Sequence, residues 1–192
     1  MITGRMIRLR PLEREDLALV AGWRNSPEVY EFMFEQEPIS LAQQERWYEG
    51  VISSDDRYYF VIETIDGDPI GLVYLVQLDW RNRRAEWGFY IGELNYRMSG
   101  HAAEAELLLL QYGFHHLNLH RICCQCFAFN TKVIAMHRRF GFKEEGRLRD
   151  HVFHGGRYED VTLMGMTRDE FAHAETSLEE FFERLAERDG AE

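Results

Sequence analysis

The chain has 192 residues, 45% of them apolar and 29% charged, which suits one soluble domain with a packed core and argues against disorder. With 33 Asp plus Glu against 22 Lys plus Arg, the formal net charge is −11, and that argues against a broad nucleic-acid-binding face, which needs excess cations to neutralise phosphates. The longest aliphatic run, Leu107 to Leu110, is far short of the roughly 20 residues of a membrane-spanning helix.

In chain order, the N-terminus is too polar for a secretory signal, so the expected location is cytoplasmic, with no membrane partner. Met6 to Arg10 alternates as a short strand stopped by Pro11, and Leu12 to Trp23 has the apolar spacing of a helix. Pro27 breaks that helix, and a Phe- and Glu-rich segment, Tyr30 to Glu37, follows. Ser40 and Gln43 have the spacing of a capping box at the start of a second helix. Tyr58–Thr64, Ile70–Leu78 and Arg84–Ile91 read as three strands of an antiparallel meander joined by polar turns. A glycine-containing loop over Asn95 to Ala102 leads into a long helix, Ala102 to Leu117. Arg121–Phe129 is a strand, Thr131–Phe140 a helix, and Phe142–Arg149 and Arg157–Met166 two strands around a Gly155-Gly156 turn. Thr167 with Glu170, and Ser177 with Glu180, are spaced to cap two short terminal helices. The crossover between Arg84 and Phe129 is long enough to lay two strands parallel, so the expected fold is a mixed α/β sheet.

Cys123, Cys124 and Cys126 lie in one strand, where neighbouring side chains point to opposite faces. They lack the second ligand pair that zinc requires and read as buried thiols, so no metal site is expected. His151 and His154 fall in a hairpin and read as non-ligands. The stretch RMSGHAAEAELLLLQYGF is the most informative. Arg97, Gly100 and Ala102 give R-x-x-G-x-A after a strand and before a helix, where free N–H groups and the helix dipole favour phosphate. The same spacing also suits a plain glycine loop with a surface arginine, and spacing by itself leaves the two readings level.

Taken with the meander, the later N-x-x-x-I and the RRFGFKEEG stretch, the chain resembles the GNAT superfamily of acetyl-CoA-dependent N-acetyltransferases over about Met6 to Met166. The matching pieces are IRLRPLEREDL, RRAEWGFYIG, the loop from Arg97 to Ala102, AFNTKVIAMHRRFGFKEEG and GRYEDVTLMG. The resemblance implies a V-shaped sheet with acetyl-CoA wedged between two splaying parallel strands. It implies an acetyltransferase domain over residues 1–167 and a helical extension over 168–192. Two small-molecule branches are echoed. One acetylates a UDP-linked amino dideoxy sugar (WRNSPEV, EEGRLRDHVFHGGRYEDV), and the other acetylates spermidine or spermine (RPLEREDL, YGFHHLNLHRI). Acetyltransferases of ribosomal-protein N-termini share the frame more diffusely.

The resemblance implies that the backbone of Phe89, Tyr90 and Ile91 pairs with the pantetheine arm, and that one of these N–H groups holds the developing oxyanion. Arg97, Met98, Ser99, Gly100, His101 and Ala102 would cradle the pyrophosphate, with Asn130 on the pantetheine arm. The amine must lose a proton and the departing thiolate must gain one. Glu86 is the first candidate base and Glu35 the second. The plainer reading of Glu86 is a carboxylate paired with Arg83 or Arg84. His137 stands where relatives commonly carry a tyrosine acid, and an imidazole can donate a proton near neutral pH. The acceptor pocket is expected around Trp23, Arg24, Phe34 and Glu35, near Phe32. The expected acceptor is a small-molecule amine, with the UDP-linked amino sugar first and the polyamine second. A protein N-terminus, a silent CoA-binding module and assembly into a homo-oligomer stay open.

Overall fold

The structure, a computed structural model, describes residues 1–189, with side chains to residue 185. Eight strands form one sheet: β1 Ile2–Thr3, β2 Ile7–Pro11, β3 Tyr58–Thr64, β4 Pro69–Asp79, β5 Arg84–Ile91, β6 Arg121–Phe127, β7 Lys143–His154 and β8 Arg157–Thr167. The spatial order is β1-β2-β3-β4-β5-β6-β8-β7. Every pairing is antiparallel except β5 with β6, as the long crossover requires. β8 lies between β6 and β7, so the closing hairpin places its second strand inward and its first at the edge.

Six helices cover the sheet: α1 Leu17–Asn25, α2 Pro27–Tyr30, α3 Leu41–Ile52, α4 His101–Gln111, α5 Thr131–Phe140 and α6 Arg168–Asp189. The first expected helix begins instead as a 3-10 turn at Arg14–Asp16 and becomes α-helical only at Leu17. Ser40 caps α3 in the expected capping box with Gln43. The apolar stripe of α1 and Tyr48 of α3 pack with Val61, Leu72 and Tyr90 on one side of the sheet. α4, α5 and α6 bury Leu107 to Leu110, Ile134, Phe171 and Phe182 with Ile62, Leu75 and Trp87 on the other. These are the outer and inner faces of the sheet, respectively.

Several expected boundaries need correction: β6 ends at Phe127 rather than Phe129, and β7 runs on to His154 rather than stopping at Arg149. The helix expected to reach Leu117 leaves α geometry after Gln111. Leu117 N–H then bonds to Tyr112 C=O at 3.0 Å, the wider i to i−5 spacing of a π turn. The two short terminal helices are one 22-residue helix, α6. Thr167 does pair with Glu170 at its start, donating its N–H and hydroxyl to the Glu170 carboxylate at 2.8 and 2.9 Å. Ser177 is interior, because Phe171, Leu178 and Phe182 keep one buried stripe running past it. Phe171 stacks on Phe114 at 5.1 Å, so the extension is packed into the core as far as it is described. Residues 190–192 of that extension lie outside the described residues.

Candidate active site

The sheet opens at β5 and β6. They are paired at Arg84↔Arg121, Ala85↔Ile122 and Glu86↔Cys123, and no further. Beyond Glu86, β5 stays paired to β4 through Ile91, and β6 stays paired to β8 through Phe127. The β6-facing backbone edge of Trp87–Ile91, which holds Phe89, Tyr90 and Ile91, therefore has no strand partner. Backbone N–H and C=O groups are obligatory hydrogen-bonding groups, so this edge is built to receive an extended, amide-bearing chain.

α4 opens at the same end of β5. Gly100 is its N-cap with φ +89° and offers no side-chain cap. That left-handed backbone is cheap for glycine and strained for other residues. The first bond of the helix is Glu104 N–H to Gly100 C=O, so the N–H groups of His101, Ala102 and Ala103 are not spent inside the helix. Met98 is exposed with φ 66°. Ser99 Oγ bonds to Tyr96 C=O at 2.6 Å and meets His101 Nδ1 at 2.8 Å. Arg97 departs from expectation. Its guanidinium turns back and donates to Ile91 C=O at 3.0 and 3.2 Å, tying the loop to the end of β5. Asn130 is the N-cap residue of α5, and its side chain makes no capping bond.

On the outer face lies a cleft of about 610 Å³. Leu72, Tyr74 and Val76 of β4, Tyr90 of β5 and Tyr59 of β3 line it. Arg24 of α1, Trp47 of α3, Asp56 and Arg57 line its walls, and Met33, Phe34 and Glu35 hang over it. The roof is held by aromatic contacts, Phe34 against Phe127 at 4.8 Å and Phe32 against Phe129 at 6.2 Å. The cleft therefore abuts the mouth of the wedge. Tyr74 packs flat over Gly88, where a Cβ would meet its hydroxyl at 2.5 Å. Burial raises the phenol pKa values of Tyr74 and Tyr90, which keeps both neutral. Arg24 Nη2 is 3.6 Å from Glu35 Oε2, and Arg24 Nε is buried without a hydrogen-bond partner among the described residues. Trp23 does not line the cleft. Its ring is in the core, edge-on to Tyr90 at 6.4 Å, and its Nε1 donates to Glu93 at 2.8 Å.

The proton-handling candidates are divided between the faces. Glu86 alternates with Trp87 and so shares the outer face with Gly88 and Tyr90. It is not paired with arginine, since Arg84 reaches Asp79 instead, at 3.4 Å. Gln125 donates to Glu86 at 3.3 Å, and burial raises the Glu86 pKa against that bond. Glu35 is on the same side, with its side chain 89% exposed. His137 is on the inner face, 3% exposed. Its ring is 5.0 Å from Trp87, 5.5 Å from Phe142 and 6.3 Å from Phe89, and Nδ1 is 3.0 Å from Glu106 Oε1.

All three cysteines are free thiols. Burial raises each of their pKa values, Cys126 to about 11, so the thiolate that a nucleophile needs is scarce at neutral pH. No group of His, Cys, Asp and Glu among the described residues is arranged to hold a metal ion. A second hollow of about 370 Å³ lies between β1, α4 and α6, away from the wedge. Its carboxylates are engaged, Glu104 by the N–H groups of Arg5, Met6 and Ile7, and Glu183 by Arg5.

Sequence reasoning missed Glu106, Trp47, Tyr59, Tyr74, Asp56 and Arg57. A signal existed for Glu106, which shares the apolar stripe of its helix with Leu107 and Leu110. No local signal marks the others, because they converge from separate strands and turns.

A model of the acetyltransferase (GNAT) domain family matches residues 6–143. The chain is 34% identical over 164 residues to the spermidine N(1)-acetyltransferase of Escherichia coli K12, covering 85% of this chain and 87% of that one. Its fold is similar to a crystal structure of spermidine N-acetyltransferase from Vibrio cholerae in complex with CoA and spermine, at TM-score 0.83 and 31% identity, covering 88% of this chain and 99% of that one. It is also similar to a dodecameric structure of the Vibrio cholerae enzyme, at TM-score 0.77 and 30% identity, covering 88% and 97% of the two chains.

Proposed function

The chain belongs to the GNAT acetyltransferase family and is an acetyl-CoA-dependent N-acetyltransferase; from that premise we propose that the amine it acetylates is a polyamine of the spermidine class. The observation that carries this reading is the cleft beside β5. Its aromatic lining (Tyr59, Tyr74, Tyr90 and Trp47) suits the methylene stems of a flexible cation. The carboxylates of Glu35 and Asp56 suit its ammonium groups. The net charge of −11 steers cations toward the molecule. The similarity to spermidine acetyltransferases supports the same choice and reverses the order expected from the sequence, where the amino sugar stood first. The roofed cleft also suits a small molecule better than a protein terminus. One relative's dodecameric structure supports assembly of this chain into a homo-oligomer.

In this reading the donor's pantetheine arm lies along the open edge of Phe89–Ile91, and its pyrophosphate meets the N–H groups at the start of α4. A β5 N–H polarises the thioester carbonyl. Glu86, with its pKa raised by burial, takes a proton from the acceptor ammonium directly or through water and frees the amine to attack, a role that a raised carboxyl pKa improves. The amine nitrogen bonds to the carbonyl carbon, the C–S bond breaks, and the thiolate gains a proton from the inner face. No covalent enzyme intermediate is needed, consistent with the raised thiol pKa values.

A second reading is favoured by one observation. Arg24, with its unpartnered Nε, and Arg57 are cations in the cleft, and they suit an amine carried on an anionic group, such as a UDP-linked amino sugar. The test is acetyl-CoA-dependent thiol release with spermidine and, side by side, with a UDP-linked amino dideoxy sugar. Turnover on spermidine is expected. Turnover on the sugar with none on spermidine would overturn the polyamine reading.

A further inference from the structure

The inner face of the wedge contains a carboxyl group that the roles above leave unused. Glu106 of α4 is 0% exposed. Its Oε1 is 3.0 Å from His137 Nδ1 on α5, while its Oε2 is buried with no partner among the described residues. Sealing a carboxyl in a core costs stability that an aliphatic residue would avoid. Its position is specific. The imidazole lies against Trp87 and Phe89 of β5, the stretch just beyond the last β5–β6 rung at Glu86↔Cys123. The pair is thus enclosed beneath the point where the strands part.

We propose that Glu106 is a positioning residue for His137. Its carboxylate accepts the Nδ1–H, which fixes the ring and leaves Nε2 as the nitrogen that takes up and delivers a proton. When the thioester C–S bond breaks, the Nε2–H of the imidazolium passes its proton to the leaving thiolate, giving the free thiol and a neutral imidazole. A proton from solvent then restores the imidazolium, and Glu106 stays ionised throughout. Around the pair, Glu106 from α4 and Cys124 from β6 are the titratable groups. β5 contributes Trp87 and Phe89, and the turn after α5 contributes Phe142. Burial raises the Glu106 pKa, and the contact with His137 opposes that rise.

The proposal rests on the acetyl-transfer premise, and its test has an arm independent of activity. Nitrogen-15 NMR of histidine-labelled free protein, taken at a pH high enough to remove the second ring proton, is expected to show the then-neutral His137 as the Nδ1–H tautomer. Glu106→Gln keeps an acceptor oxygen and drops the charge. It should retain that tautomer, move the alkaline limb of the kcat profile to lower pH and cut kcat about tenfold. Glu106→Leu should release the tautomer and match His137→Gln, with kcat down about 100-fold and both KM values within about twofold. The double variant should be no worse than His137→Gln. An Nε2–H tautomer in the wild type, an unchanged pH profile in Glu106→Gln, or full kcat in His137→Gln would each overturn the proposal. If Glu106→Leu fails to fold, the wild-type tautomer and Glu106→Gln decide the question. Wild-type protein that releases no thiol with any amine would overturn the premise, whereas the tautomer tests the pairing directly.

Discussion

On the outer face of β5, Arg24, Glu35, Asp56 and Arg57 line a cleft open to water, where Arg24 lies 3.6 Å from Glu35 and Arg57 donates to Asp56 at 2.7 Å. On the inner face the same strand backs onto a single sealed pair, Glu106 with His137, among Trp87, Phe89 and Phe142. Wet charges cost little to hold and little to exchange, so the outer face is free to set which amine is bound. Dry charges are coupled strongly to one another and to packing, so the inner face bears on turnover and on stability together.

The largest effect is expected at Trp87. It is a core residue beneath His137, and Trp87→Ala is expected to cost about 3–5 kcal/mol in urea unfolding. An effect under 1 kcal/mol would mean that the inner face is not the rigid side. Gly100→Ala tests the donor end that both faces share. The +89° φ strains alanine, and the new Cβ would come 2.8 Å from Leu185. CoA affinity by calorimetry should fall about tenfold, a loss of roughly 1.4 kcal/mol, with acceptor KM unchanged. Arg24→Gln sharpens the outer side. Spermidine KM should fall about threefold as a competing cation leaves, with stability unchanged within about 0.5 kcal/mol. A large rise in spermidine KM would point to a structural role for Arg24.

The smallest effect is expected at Glu170, remote from either face of the wedge. Lys143 and the Thr167 N–H lower its pKa from 4.5 to about 2. A carboxylate depressed on folding stabilises the fold above its unfolded pKa and loses that contribution as pH falls through its folded value. Glu170→Gln should therefore cost about 0.5–1 kcal/mol at pH 7, after allowing for its partial exposure. The gap from wild type should narrow between pH 4.5 and 2, as read by thermal unfolding across that range.

Much of this molecule was legible locally. Tyr58–Thr64, Arg84–Ile91 and Thr131–Phe140 fold with the boundaries expected from the sequence. Ser40 and Thr167 start their helices as their capping partners predict. The glycine loop before α4 was visible as a motif, but the use of Arg97 was not. Whether a guanidinium faces a phosphate or returns to Ile91 C=O depends on where the end of β5 sits. Trp23 is misplaced by the sequence reading for a similar reason, since an aromatic beside a pocket and one beneath it look alike in a chain.

Hydrophobic period, caps and turn residues act over a few neighbours, so most strands and helices, the parallel crossover and the family resemblance are readable along the chain. Those signals do not say how far two strands stay paired. The limit of β5–β6 pairing at Glu86 and the convergence of three tyrosines with Arg24 are set by packing between residues far apart in the chain. So is the meeting of Glu106 with His137 across 31 positions. These features arise on folding, because burial and the low polarity that couples buried charges exist only once the helices have closed over the sheet.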